Sequence, residues 1–155
     1  MTDGLDFNIQ GLDAAVRGMK SFSPKLQKRG LAAAARKGAN VIRDAARANA
    51  RAIDDPQTAE LIAKNISTQG SRRLSRKISG AAIRVGVMGG ADIRKRDEKS
   101  GLPGGATQHW RLVEFGTEDT PAQPFLRPAG ETNHQNVLEA VATELEKQVT
   151  KLELL

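Results

Sequence analysis

Residues 24–52, PKLQKRGLAAAARKGANVIRDAARANARA, decide the fold. Leu26, Leu31, Ala34, Ala35, Ala39, Val41, Ile42, Ala45, Ala46 and Ala50 fall mostly on one helical stripe. Lys25, Lys28, Arg29, Arg36, Lys37, Arg43, Arg47 and Arg51 take most of the remaining surface. That is the pattern of one long amphipathic helix with a basic outer face. At 1.5 Å per residue it runs roughly 40 Å. Its many alanines let another backbone approach closely, and Gly30 and Gly38 cost helicity, so they mark expected sites of tight contact.

Upstream, Ser23-Pro24 is a good helix start, because proline is tolerated in the first turn. Leu12 to Phe22 reads as a shorter helix. Residues 4–10, GLDFNIQ, alternate Leu5, Phe7 and Ile9 against Asp6, Asn8 and Gln10, the period of a half-buried strand. Downstream, Asp54-Asp55-Pro56 ends the long helix, and residues 58–66 read as a short helix running into a strand. A β-hairpin is expected between roughly 61–70 and 78–88, with the basic run SRRLSRK near its turn. Residues 89–108 hold five glycines and a mixed charge cluster, and read as a long mobile loop. Residues 108–115 read as a helical turn or two, and 116–130 as a turn-rich passage with three prolines. Thr132 or Asn133 caps a final helix with Val137, Val141, Leu145, Val149 and Leu152 on one face. The fold class is therefore α+β: a long basic helix and a C-terminal helix on a small antiparallel sheet, with one mobile loop.

The 155 residues fit a single domain, 1–155. Aromatics are only 3%, so small aliphatic side chains fill the core and some apolar surface is expected to face other subunits. With no cysteine, disulfides, thiolate metal sites and a cysteine nucleophile are excluded. No apolar run approaches the roughly 20 residues of a membrane span, and the N-terminus lacks a basic-then-apolar leader pattern. A soluble protein made in a cytoplasm, with no membrane partner, is expected. The net charge of +6 is unevenly spread: residues 17–51 carry ten bases and one acid, whereas residues 131–155 carry five acids and two bases. Such asymmetry suits nucleic acid or an acidic face on a neighbouring subunit.

The stretch HWRLVEFGTEDTPAQPFLRPAGE, residues 109–131, carries the functional signal. Glu114, Phe115, Gly116 and Thr117 form an E-F-G-T group. After a short gap come Pro121, Ala122, Pro124, Phe125, Leu126, Arg127, Pro128 and Ala129. This resembles the neck, or tail-completion, family of long-tailed phages typified by the minor tail component of a Hong Kong lambdoid phage. Relatives also carry a T-G-x-L segment after the long helix; here Thr58 and Leu61 remain, with Ala59 in the glycine position. The resemblance implies a structural virion protein, assembled in the host cytoplasm, that forms a ring at the head–tail junction. Its implied partners are copies of itself in a cyclic ring of six or twelve, the adjacent head-completion or stopper ring, and the tail terminator or tube. Packaged DNA or the end of the tape measure is a further implied contact. A tail terminator ring is the alternative within the class. No catalysis, metal or cofactor is implied.

Candidate subunit or partner contacts are Trp110, Glu114, Phe115, Gly116, Thr117, Pro121, Pro124, Phe125, Leu126, Arg127 and Pro128. Three prolines stiffen the passage 121–128 into a strap that docks at little entropic cost. Two readings stay open: Phe125 and Leu126 anchor a neighbour, or they plug their own core. Glu114 and Arg127 either pair as a fork or are solvated separately. Candidate contacts to DNA or an acidic partner are Arg43, Arg47, Arg72, Arg73, Arg76, Lys77, Arg94, Lys95 and Arg96, and the acidic last helix is a complement for the basic helix of a next subunit. An enzyme is disfavoured. His109 and His134 lack companions with catalytic or metal spacing, and GVMGGAD at 86–92 lacks the lysine of a phosphate loop. A basic nucleic-acid-binding protein is the competing function, although stacking aromatics are nearly absent.

Overall fold

The computed structural model describes residues 11–54, 57, 61–89 and 101–154. The expected strand at 4–10 lies outside them, as do Arg94, Lys95 and Arg96 and most of the first half of the long loop. In chain order the elements are α1 (Leu12–Lys20), α2 (Pro24–Arg51), α3 (Ile62–Asn65), β1 (Ile66–Gly70), α4 (Arg72–Lys77), β2 (Ile83–Val87), α5 (Trp110–Phe115), α6 (Leu126–Thr132) and α7 (His134–Glu153). The fold is α+β, with a long N-terminal helix, a C-terminal helix and one two-stranded antiparallel sheet.

Helix α2 is the spine, and opposite sides of it do different work. Gly30, Ala34 and Gly38, spaced by four, meet α1 and α7. A Cβ on Gly38 would sit 2.8 Å from Val141 Cγ2, and one on Gly30 would sit 2.6 Å from Met19 Cε. The two glycines are thus close-approach points, and their helical cost of about 1 kcal/mol each is the condition of that approach. Asn40 and Arg47 lie on the other side: Thr68 Oγ1 is 3.5 Å from Asn40 Oδ1, and the Arg47 guanidinium donates twice to the Ile66 carbonyl, at 2.7 and 3.0 Å. The sheet therefore lies across α2 from α7. Ala15, Met19, Ala34 and Leu145 close one apolar cluster near the start of α2. Ala46, Ala50, Ile62, Ile66, Phe125 and Ala129 close a second near its end.

The hairpin pairs Ile66 with Val87 through Gly70 with Ile83. Its connection is not a simple turn: SRRLSRK folds into α4, with the Ser71 hydroxyl accepting the Leu74 N–H at its start. The long helix ends at Arg51, ahead of the two aspartates, and Asp54 has another task. Its two carboxylate oxygens accept the N–H groups of Ile62 and Ala63, each at 2.9 Å, and so start α3. The passage expected to be turns as far as residue 130 also contains a helix, α6, which begins at Leu126.

The second half of the long loop is fixed by one buried side chain. Asn65, fully buried, accepts the Gly104 N–H at 2.8 Å and donates to the Gly105 carbonyl and Thr107 Oγ1 at 2.9 and 2.7 Å. Gly104 in turn accepts the Leu61 N–H. A Cβ at Gly104 would collide with the Leu61 carbonyl and the Asn65 amide, so only glycine lets the backbones lie this close.

Candidate assembly interface

The E-F-G-T group and the proline-rich passage form one local device. Glu114, at the end of α5, is 2% exposed. Its Oε2 accepts the N–H groups of Phe125 and Leu126 at 2.8 and 2.9 Å, and its Oε1 accepts that of Arg127 at 2.9 Å. A helix leaves four N–H groups without intrahelical partners at its start. For α6 these belong to Phe125, Leu126, Arg127 and residue 128. Three go to one carboxylate, and the fourth does not exist because residue 128 is proline. The negative charge also sits at the favourable end of the helix dipole.

Between Glu114 and its amides the chain reverses. Gly116 has φ 76° and ψ −179°, a region essentially confined to glycine, and a Cβ there would lie 2.8 Å from Ala122 N and 2.9 Å from Thr120 O. Thr117 Oγ1 accepts the N–H groups of Asp119 and Thr120, while Thr117 N–H donates to the Thr120 carbonyl. Gln123 N–H donates back to the Val113 carbonyl. The motif residues thus bring α5 and α6 side by side.

This arrangement separates the candidate residues. Glu114 and Phe125 point inward, Phe125 being fully buried among Ala46, Ala50 and Ile66. Of the two readings of the strap, Phe125 plugs its own core and Leu126 lines an open groove. The fork between Glu114 and Arg127 does not form. The carboxylate takes the Arg127 backbone N–H, and the guanidinium instead lies 5.5 Å from the centre of the Phe115 ring. Trp110 is half-buried against the second cluster, with Arg111 5.4 Å from its ring centre. Thr117, Pro121 and Pro124 are exposed and Pro128 is half-buried.

What remains outward is apolar. Phe115 is 63% exposed and Leu112 42%. Beside Phe115 opens a groove of about 720 Å³ floored by Ile42, Trp110, Leu126, Val137 and Leu138, with Arg127, Glu131 and His134 also in its lining. Large apolar side chains left exposed beside an apolar depression mark interaction surfaces more often than isolated ones do. Leu112 and the α7 side of this groove were missed from the sequence, because only the fold brings α5, α6 and α7 together.

The basic candidates divide as well. Arg47 is tied to Ile66, and Arg43 donates to Asn40 and forms an ion pair with Asp44 at 2.7 Å. Neither guanidinium is held ready for a partner. Arg72, Arg73, Arg76 and Lys77 are exposed on α4. Arg72 and Arg76 share a second groove, of about 860 Å³, with Lys28 and Arg36 of α2, and among the described residues no acidic side chain lines it. Helix α7 packs on the small residues of its own α2. Among the described residues no group of three His, Cys, Asp or Glu side chains is placed to hold a metal, and no helix is long and apolar enough to cross a membrane.

A small helix-rich subunit with an apolar groove on one surface and a basic groove on another is what these residues define. Residues 13–116, about two-thirds of the chain, match the HK97-gp10-like family, described as "Bacteriophage HK97-gp10, putative tail-component", and the chain belongs to that family. It is a structural tail component of a phage, and its place is in the virion. The match spans α2, the hairpin and Glu114, Phe115 and Gly116, and stops before Thr117 and the amides that Glu114 holds. No curated protein and no solved structure matches the chain.

Proposed function

We propose that this tail component forms a closed ring at the head–tail junction, where it joins head-completion proteins to the tail. The observation that carries this reading is the apolar surface of Phe115 and Leu112 beside the groove between α5, α6 and α7. The cap on Glu114 fixes its shape before any partner arrives, so docking orders few side chains. Closed cyclic symmetry satisfies such a surface on every copy, and six or twelve copies match a tail or a portal. The test is the solution mass of the full chain, alone and mixed with tails, beside the variant Leu112→Asp/Phe115→Asp. The variant is expected to fold, to melt within a few degrees of the parent, and to lose self-association and tail joining. Unchanged assembly by the variant overturns the reading.

The basic groove of Lys28, Arg36, Arg72 and Arg76 favours a second reading, binding to nucleic acid. Phosphate-driven binding weakens steeply with salt. Tight DNA binding at low salt, lost on raising it, with no self-association, selects this alternative.

A further inference from the structure

The hairpin has an unused edge. Met88 N–H bonds to the Asn65 carbonyl and Ser71 N–H to the Ala82 carbonyl, and both pairs keep the register of Ile66 with Val87. In an antiparallel ladder hydrogen-bonded and non-hydrogen-bonded pairs alternate. Ile83, Val85 and Val87 are therefore the non-bonded positions, with their N–H and C=O groups directed away from β1. None of these groups has a hydrogen-bond partner among the described residues. On the β1 side, Arg47 already occupies the Ile66 carbonyl. The edge of β2 has two chemically distinct flanks. Val85 and Val87 pack on the second apolar cluster. Arg84 and Gly86 face away from it, Arg84 exposed and Gly86 with open space where a Cβ would sit.

We propose that residues 4–10 of a neighbouring copy add to β2 as a third strand. This rests on the self-assembly reading above and names a contact that builds the assembly. GLDFNIQ has the period the edge requires. Leu5, Phe7 and Ile9 continue the layer of Val85 and Val87, while Asp6, Asn8 and Gln10 fall on the flank of Arg84, where Asp6 supplies the opposite charge. Main-chain hydrogen bonds to an exposed edge give affinity, and alternate side chains give specificity. A third strand also relieves a sheet of only two strands, which is marginal alone.

The donor is a neighbour because the chain's own segment has no linker to reach the edge. Residue 10 is followed at once by Gly11, which sits against Glu146 of α7. Helix α7 meets α2 at Gly38 and the sheet meets it at Asn40. Two residues along a helix turn about 200°, so the seat of Gly11 and the sheet are on opposite sides of α2.

The chain has no cysteine, so engineered thiols report the contact cleanly. Full-length Asp6→Cys, Asn8→Cys and Gln10→Cys, each mixed with full-length Gly86→Cys and mildly oxidised, cover the possible registers. The expected result is a disulfide between the two different variants for at least one of the three. In the assembled parent, the amides of Ile83, Val85 and Val87 should exchange with solvent roughly tenfold or more slowly than in Phe7→Asp, which loses self-association. A crosslink in none of the mixtures overturns the proposal. If the parent self-associates normally without the crosslink, only the strand contact falls. If the parent never self-associates, the ring reading falls with it.

Discussion

The guanidinium of Arg127 lies 5.5 Å from the centre of the Phe115 ring, while the backbone N–H of the same residue is bonded to Glu114. One residue therefore both closes the first turn of α6 and covers a face of Phe115, the most exposed phenylalanine among the described residues. The side-chain contact is at the surface and worth about 0.5–1 kcal/mol. Arg127→Ala should shift the melting temperature by only a few degrees, because its N–H remains. Thermal unfolding followed by circular dichroism checks this, and a large loss would assign the side chain a role in the core.

Glu114 is the reverse case. Replacing it with Ala leaves three N–H groups at the start of α6 without acceptors. Hydrogen bonds to a charged group are worth about 1.5–3 kcal/mol each and do not add fully. A loss of about 2–4 kcal/mol is expected, a fall of roughly 5–12 °C. Glu114→Gln keeps one carbonyl acceptor and should fall between parent and Ala. Denaturant titration of the three proteins gives the order directly.

Gly116→Ala should destabilise by about 1–3 kcal/mol, since its Cβ has no room against Ala122 N and Thr120 O. The melt reads the loss. Ala at Gly86, with open space and an ordinary strand conformation, is the matched control and should cost little.

Among the arginines, Arg47→Ala should lower stability by about 1.5–3 kcal/mol, because the fully buried Ile66 loses both donors to its carbonyl. Arg73→Ala, at an exposed position of α4, should stay within about 0.5 kcal/mol. Equal effects in chemical denaturation would contradict the assignment. An Arg43/Arg47 charge reversal consequently reports on folding and is a poor probe of assembly.

The parts of the fold legible in the sequence are those specified locally. Helices α1, α2 and α7 announce themselves through apolar period, the Ser23-Pro24 start and Asn133, and the strands through β-branched alternation at Ile83, Val85 and Val87. Two helices were hidden for different reasons. SRRLSRK reads as charge near a turn, although Ser71, a residue type favoured at helix starts, was a cap signal in plain view. Helix α6 has Phe125 at its N-cap and no local cap; its acceptor is Glu114, eleven residues earlier, which no local rule connects. The same holds for the site. Phe115 and Arg127 were candidates by motif, but that Arg127 would lie on Phe115 and not pair with Glu114 depends on how the chain reverses at Gly116. Arg36 and Lys28 join Arg72 and Arg76 only because the hairpin lies along α2.

The two apolar clusters on α2 have a consequence for how damage accumulates. Ala34 belongs to one and Ala46 to the other, twelve residues apart and so separated by about 18 Å along the axis. Lesions that far apart with no shared neighbour usually sum to within about 0.5 kcal/mol. Leu145→Ala and Phe125→Ala, each costing about 2–5 kcal/mol, should combine without epistasis, so this short chain tolerates change at one end of its spine independently of the other until the total reserve is spent.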